Sequence, residues 1–301
     1  MGNFICMTAS AKCSIPRRLD MMGGMTLQTK SDKPLHPIGV GTWNISGIFE
    51  LDPTAKYKGA RAVYGNEESE IEALRYSLAK GQNHIDCAEL YGAFYTDEIV
   101  GHAIADSQRE DIFIADKLWK TSVGKGQVRP MVKQMLKKLG TDYIDLLYIH
   151  DTWDHWQDAV PQIDELIDEG IVRYFGLSNF SVEQMQEAQK IARHPIAANQ
   201  VKYNVLYQDE VTPAFHAFCQ SHNIQIVAYQ PIKRQEVLKD ETVKATAEVH
   251  KAMPAQVALA WLLQKGALPI PKATNKTHID ENLGAIKIKL TDEDMAKLEE
   301  H

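Results

Sequence analysis

Gly39-Val40-Gly41-Thr42-Trp43-Asn44 is the stretch whose reading decides the fold. It follows the apolar Ile38 and opens with two glycines one residue apart. The phosphate-cradling turn after the first strand of a doubly wound sheet opens in the same way. That turn also needs a third glycine and small residues, so that a helix can pack close behind it. Here Asn44 takes the place of the third glycine, and Trp43 stands where the chain should be small. The doubly wound sheet is set aside on these two residues.

The punctuation downstream supplies the alternative. Candidate buried strands, short and mostly β-branched, start near Ile38, Asn83, Asp111, Ile144, Val172, Ala198, Ile224 and Leu268. Amphipathic helices fall between them. One over 126–139 spaces Val128, Met131, Val132, Met135, Leu136 and Leu139 at a helical period. Another carries Ala159, Val160, Ile163, Leu166 and Ile167 and stops at Gly170. Ser181-Val182-Glu183-Gln184 reads as the capped start of a third. Eight strand–helix alternations predict a parallel sheet, and eight strands close a barrel. The expected fold class is α/β, a single-domain (β/α)8 TIM barrel over residues 34–301. Insertions are expected at 44–66 and after the seventh strand.

Residues 1–33 read as an N-terminal extension, disordered or partly a β-hairpin lid. Gly23-Gly24 looks like a loose leader, and Met7, Met21, Met22 and Met25 offer later translation starts for the first two dozen residues. The apolar stretch near Met1 is too short for a secretory signal, and no run approaches the length of a membrane span. A net charge of −7 gives no electrostatic reason to expect nucleic acid or an anionic membrane as partner. Cys6, Cys13, Cys87 and Cys219 show no metal-site spacing, so a reducing, cytoplasmic compartment is expected and no metal.

In such a barrel the chemistry sits at the carboxyl ends of the strands. Those ends read Thr42-Trp43, Asp86, Lys117, His150, Ser178-Asn179, Gln200, Tyr229 and Lys272. Five residues beyond Asp86, in His84-Ile85-Asp86-Cys87-Ala88-Glu89-Leu90-Tyr91-Gly92, a phenol follows in the loop. A phenol with a pKa near 10 is a poor acid and a poor base at neutral pH. An adjacent ammonium favours its phenolate, and a carboxylate holds the ammonium in place. Lys117 and Asp86 are the residues expected to do this for Tyr91, with His150 orienting an incoming oxygen. The set suits protonation of a carbonyl oxygen while another group attacks its carbon. Singly these residues have ordinary readings as turn, cap or surface groups; their succession on consecutive strands is what points to a site.

At this point the residues resemble the aldo-keto reductases over about residues 34–301. The resemblance runs through Ile85-Asp86-Cys87-Ala88 to Tyr91-Gly92, Ala115-Asp116-Lys117-Leu118-Trp119 and Asp145-Leu146-Leu147-Tyr148-Ile149-His150. It continues through Gly176-Leu177-Ser178-Asn179-Phe180, Asn199-Gln200-Val201 and Pro269-Ile270-Pro271-Lys272 to Glu281-Asn282. It implies NAD(P)H-dependent, reversible reduction of aldehydes or ketones, with Tyr91 as general acid. It also implies that Ser178, Asn179 and Gln200 hold a nicotinamide carboxamide and that Tyr229 stacks on the ring. Thr42, Trp43 and Asp86 would complete the nicotinamide end. Lys272, Thr274, His278, Glu281 and Asn282 would hold the adenosine end.

The departures matter. His278 stands where many members have Arg, and Ala273 where they have Ser or Thr, at the positions that grip a 2′-phosphate. NADP(H) is expected, with NAD(H) as the alternative. Asp151-Thr152-Trp153 replaces the usual Trp-Pro after the histidine. This makes one wall of a pocket formed by Trp43, Trp119, Asp151 and Trp153 more polar, and Asp151 would raise the pKa of His150. Aldehydes, ketones and aldoses, especially polar ones, are the expected partners. The chain ends soon after Met295, so an open site is expected. Two rivals remain: an NADP(H)-binding regulatory subunit resembling the potassium-channel β subunits, and a Schiff-base aldolase using Lys117. The oligomeric state is not legible.

Overall fold

Among the described residues, eight short strands run parallel and pair in chain order: β1 (Val40–Gly41), β2 (His84–Asp86), β3 (Phe113–Leu118), β4 (Ile144–Ile149), β5 (Val172–Ser178), β6 (Ile196–Lys202), β7 (Gln225–Tyr229) and β8 (Leu268–Pro269). The computed structural model describes residues 27–45 and 67–300. The sheet returns on itself through two backbone bonds. Gly39 N donates to Pro269 O at 2.9 Å, and Gly41 N donates to Pro271 O at 3.1 Å. Gly41 has no alternative here, because a Cβ would drive into the carbonyl oxygen of Ile270. The stretch that excluded a doubly wound sheet is therefore the closing seam of the barrel.

Helices cover the outside of the sheet: α1 (Glu67–Ala79), α2 (Tyr95–Ile104), α3 (Val128–Leu139), α4 (Ala159–Asp168), α5 (Val182–Ile191), α6 (Pro213–Ser221) and α8 (Pro254–Gln264). α7 (Glu241–His250) is the insertion expected between the seventh and eighth strands; α9 (Lys276–Gly284) and α10 (Asp292–Leu298) follow β8. The insertion expected at 44–66 lies, beyond Ile45, outside the described residues. In α3 the buried stripe is Val128, Val132, Met135 and Leu139, while Met131 and Leu136 pack only at its margin. α5 opens on a reciprocal cap: Ser181 Oγ accepts Gln184 N, and the Gln184 side chain accepts Ser181 N. That satisfies two amide groups that the helix itself leaves without partners.

Side chains alternate across a strand, so each strand contributes one row to the barrel interior. Phe113 and Ala115 of β3, Leu146 and Tyr148 of β4, and Ala198 and Val227 of β6 and β7 fill that interior. The same parity, carried two residues onward, aims Lys117, His150 and Gln200 into the upper lumen. His84 and Asp86 share the inward row of β2. Gly176 of β5 leaves room for Tyr148, whose ring carbons would lie 2.5 and 2.6 Å from a Cβ there.

At the floor, residues 27–33, part of the segment expected to be disordered or partly a β-hairpin, pack against the barrel. Gln28 and Pro34 form an antiparallel bridge, and Leu27 is buried in the interior cluster. Arg173 Nη1 donates to Gln28 O at 3.0 Å and pairs with the fully buried Asp145 at 2.5 Å. Arg109 reaches the other Asp145 oxygen at 2.8 Å. Residues 1–26 lie outside the described residues.

Candidate active site

The centre of the site is a fully buried ammonium. Lys117 Nζ lies 2.7 Å from each carboxylate oxygen of Asp86, 2.7 Å from the Cys87 carbonyl oxygen and 3.3 Å from the Tyr91 hydroxyl. Three of these contacts satisfy the charge, which a buried ammonium requires. The fourth touches the phenol. Asp86 is itself fixed from the opposite side of the barrel, where Gln200 Nε2 donates to its Oδ1 at 2.7 Å. Thr42 Oγ1 donates to the Asp86 carbonyl at 2.6 Å, so the end of β2 is held from β1 as well.

Tyr91 is buried in the loop before α2. Its phenol is pushed well above the ordinary range, first by burial and then by the Asp86 carboxylate. This departs from the expectation of a phenol made acidic by Lys117. Asp86 engages the ammonium with both oxygens, leaving burial to dominate. The phenol is therefore a protonated group at neutral pH.

His150 follows β4. Its ring lies 6.1 Å from that of Tyr91 and 5.4 Å from Trp119, both edge-on. Burial, then the charge of Lys117, hold its pKa well below 6.5, and Nδ1 has no hydrogen-bond partner among the described residues. The expected influence of Asp151 is absent, because that carboxylate turns to the Thr152 amide, at 2.8 Å. A neutral imidazole carries one N–H, so it donates a hydrogen bond without delivering a charge.

Aromatic rings wall the mouth. Trp43, exposed at 39%, meets Tyr91 edge-on at 5.0 Å, and Trp119 meets Trp153 at 4.5 Å. Ser178 is buried at the end of β5. Asn179 follows in the left-handed region at φ 61°, a conformation that asparagine tolerates. Its side chain faces the Tyr229 hydroxyl, and its buried Oδ1 has no hydrogen-bond partner among the described residues. An unpaired buried acceptor beside a half-exposed aromatic ring fits a ligand bearing a primary amide. Ser178, Asn179, Gln200 and Tyr229 thus occupy adjacent strand ends, as a carboxamide would need.

The other group expected to hold a cofactor lies past β8. Lys272 Nζ reaches back to Asn44 O at 3.0 Å. Glu70 of α1 stands in its field, pushed up to about 7 by burial against the pull of that lysine. Thr274 and His278 are exposed, His278 in the first turn of α9. Glu281 is half-buried and Asn282 is buried. Lys276 is committed to Glu72, at 2.5 Å. Among the described residues, no group of three or more His, Cys, Asp or Glu side chains could hold a metal ion, and no helix is long and apolar enough to cross a membrane.

Sequence reasoning did not find the Cys87 carbonyl on Lys117, the direct bond from Gln200 to Asp86, or Glu89. The last accepts Trp119 N and Ser122 Oγ, each at 2.8 Å. Its position inside the Asp86–Tyr91 stretch was the available signal.

Comparison with known proteins matches residues 37–301 to the aldo/keto reductase family model. The chain belongs to that family. An aldo-keto reductase is an oxidoreductase acting on carbonyl groups, and this chain is one. A methylglyoxal reductase of Escherichia coli O157:H7 is 33% identical, over 74% of this chain and 84% of the relative. The thermostable aldo-keto reductase Tm1743, solved with the inhibitor epalrestat, superposes with a TM-score of 0.80 at 35% identity, covering 92% of this chain and 99% of that one. An aldo-keto reductase of Klebsiella pneumoniae in complex with NADPH gives 0.77 at 29% identity, covering 92% and 94%.

Proposed function

We propose that this aldo-keto reductase uses NADPH to reduce small, polar aldehydes and ketones of the methylglyoxal kind, with Tyr91 as the general acid. The observation that carries the reading is the single ammonium of Lys117 shared between Asp86 and the Tyr91 hydroxyl. When bound, NADPH would supply the hydride for the carbonyl carbon. Everything else belongs to the chain. Tyr91 is protonated at neutral pH and gives its proton to the oxygen. Lys117, 3.3 Å away, stabilises the phenolate left behind. Neutral His150 donates a hydrogen bond that sets the oxygen within reach of Tyr91. Proton transfer from a placed side chain contributes on the order of 10² to 10⁴ in rate.

Ser178, Asn179, Gln200 and Tyr229 would hold the nicotinamide end, supported by the unpaired Asn179 Oδ1. Thr42 and Trp43 would border it from β1. At the far end Lys272, Thr274, His278, Glu281 and Asn282 would meet the adenosine. NADPH is favoured over NADH because the Lys272 ammonium attracts a phosphate and because the Klebsiella neighbour holds NADPH. Trp119, Asp151 and Trp153 would line the substrate side. Buried free Cys87 and Cys219 fit a reducing, cytoplasmic setting.

The test is loss of reduced-nicotinamide absorbance, with NADPH and NADH compared against methylglyoxal, short aldehydes, aldoses and ketones. Turnover with NADPH that falls at least ~100-fold in Tyr91→Phe supports the reading. Tight NADPH binding without turnover across the panel replaces it with a regulatory, cofactor-binding role.

A further inference from the structure

Glu89 lies between the carboxylate and the phenol in sequence, yet it touches neither the ammonium nor the phenol in any bond described above. It is fully buried. Its amide donates to Lys117 O at 3.1 Å, extending the pairing of β2 with β3 past Asp86. Its side chain then crosses to the next loop. Oε2 accepts Trp119 N and Oε1 accepts Ser122 Oγ, each at 2.8 Å. Ser122 N in turn donates to Trp119 O at 2.8 Å, closing a tight turn from Trp119 to Ser122. One carboxylate therefore grips both ends of that turn. Hydrogen bonds to an ionised acceptor are roughly twice as strong as neutral ones, and those sealed from water resist exchange.

The geometry matters because the two loops carry neighbouring walls of the candidate pocket, Trp119 packing against the cluster that holds Tyr91. Tyr91 lies two residues past Glu89 on the first loop. Trp119, on the second, sits edge-on to His150 and Trp153 at 5.4 and 4.5 Å. The Trp119 indole is only half-buried and needs its backbone held if the wall is to stay in place. Asp97 and Asp116, also fully buried, are both raised in pKa, with the Glu89 charge among the causes. Asp97, Asp116 and Glu89 are thus buried within one another's electrostatic reach.

We propose that Glu89 is a positioning residue that sets the gap between the Tyr91 hydroxyl and the Trp119–Trp153 wall, and so selects carbonyl substrates by the size of their substituent. The inference rests on the reading of Tyr91 as proton donor. It makes Glu89 a determinant of which aldehyde is taken, acting through Trp119 and not on the reacting atoms.

The experiment compares wild type, Glu89→Gln, Ser122→Ala, Trp119→Ala and the Glu89→Gln/Trp119→Ala pair. The readouts are kcat and KM for methylglyoxal and for the bulkier phenylglyoxal, NADPH affinity by fluorescence titration, and amide exchange across residues 119–122. Glutamine keeps the volume but cannot accept from both donors. Expected in Glu89→Gln are a KM for methylglyoxal raised about tenfold, a smaller preference over phenylglyoxal, unchanged NADPH affinity and faster exchange at Trp119. In the Trp119→Ala background the KM effect of Glu89→Gln should vanish, since the two act in series. If Glu89→Gln does not fold, Ser122→Ala should show the same direction at about threefold. A KM shift that persists without Trp119, or a loss of thermal stability with unchanged KM, overturns the proposal. Should wild type turn over no carbonyl at all, the Tyr91 reading fails first. Exchange at 119–122 then decides the clamp alone: faster exchange in Glu89→Gln upholds it, and unchanged exchange removes it.

Discussion

Lys117 Nζ sits 2.7 Å from both oxygens of Asp86, and neither side chain has meaningful contact with solvent, at 0% and 2% exposure. Breaking a buried pair by removing one partner leaves an uncompensated charge and costs about 3–5 kcal/mol, whereas neutralising both is often tolerated. Asp86→Asn and Lys117→Met should each destabilise the fold in urea titrations. The double variant should be more stable than either single one while remaining inactive. A double variant as unstable as the sum of the singles would mean that the pair itself, and not the stranded charge, holds this end of the barrel.

The raised pKa of Tyr91 makes a prediction about pH. Burial and Asp86 keep the phenol protonated to well above its ordinary value of 10. The proton donor is then fully present at neutral and mildly alkaline pH. The kcat/KM for carbonyl reduction should stay flat up to at least about pH 9 before falling. Tyr91→Phe should lower the plateau and abolish whatever alkaline fall the phenol itself causes. An alkaline fall with an apparent pKa near 8 would show that Lys117 acidifies the phenol after all.

Much of this arrangement was legible in the chain because parity and strand ends are local properties. Ile144 and Val172 open β4 and β5 where expected, and Lys117 falls on the inward row set by Phe113 and Ala115. What was not legible depends on distance through space. Residues 1–33 read as disordered or partly a β-hairpin, and nothing in the sequence showed that Arg173, 145 residues beyond Gln28, reaches back to its carbonyl and helps fix the floor. The pKa of His150 was misjudged from its neighbour in sequence. Asp151 turns to the Thr152 amide while burial and Lys117 control the imidazole. Glu89 was read past because its partners, Trp119 and Ser122, lie some thirty residues on and are joined to it only by the pairing of β2 with β3.

His84 gives a stability prediction independent of activity. It lies in the barrel interior below Asp86, fully buried, with neither ring nitrogen bonded. Burial, then Lys117, lower its pKa from 6.5 to about 3. Between those pH values the unfolded chain holds a proton that the folded chain lacks. Stability should therefore be unaffected by this group above pH 6.5 and should fall as pH drops towards 3, by up to about 1.4 kcal/mol per pH unit. His150 adds in the same direction. In His84→Met the slope of stability against pH between 6.5 and 4 should be shallower than in wild type. Equal slopes would mean that His84 is charged or solvated in the folded protein.

Gly41 gives the sharpest test of closure. A Cβ there would strike the Ile270 carbonyl oxygen, part of the backbone, while at Gly39 it would meet the His84 ring and the Ile270 side chain at 2.8 and 2.9 Å. Side chains shift more readily than a strand in register. Gly41→Ala should therefore separate β8 from β1 and strip the Gly41 N to Pro271 O bond. The Lys272 contact to Asn44, which spans the same seam just above it, would loosen as well. Thermal denaturation should show Gly41→Ala losing more stability than Gly39→Ala. NADPH affinity should fall in Gly41→Ala even at temperatures where it is fully folded, because Lys272 is displaced. Equal stability losses at the two positions would show that the seam gives way as easily through backbone as through side chains.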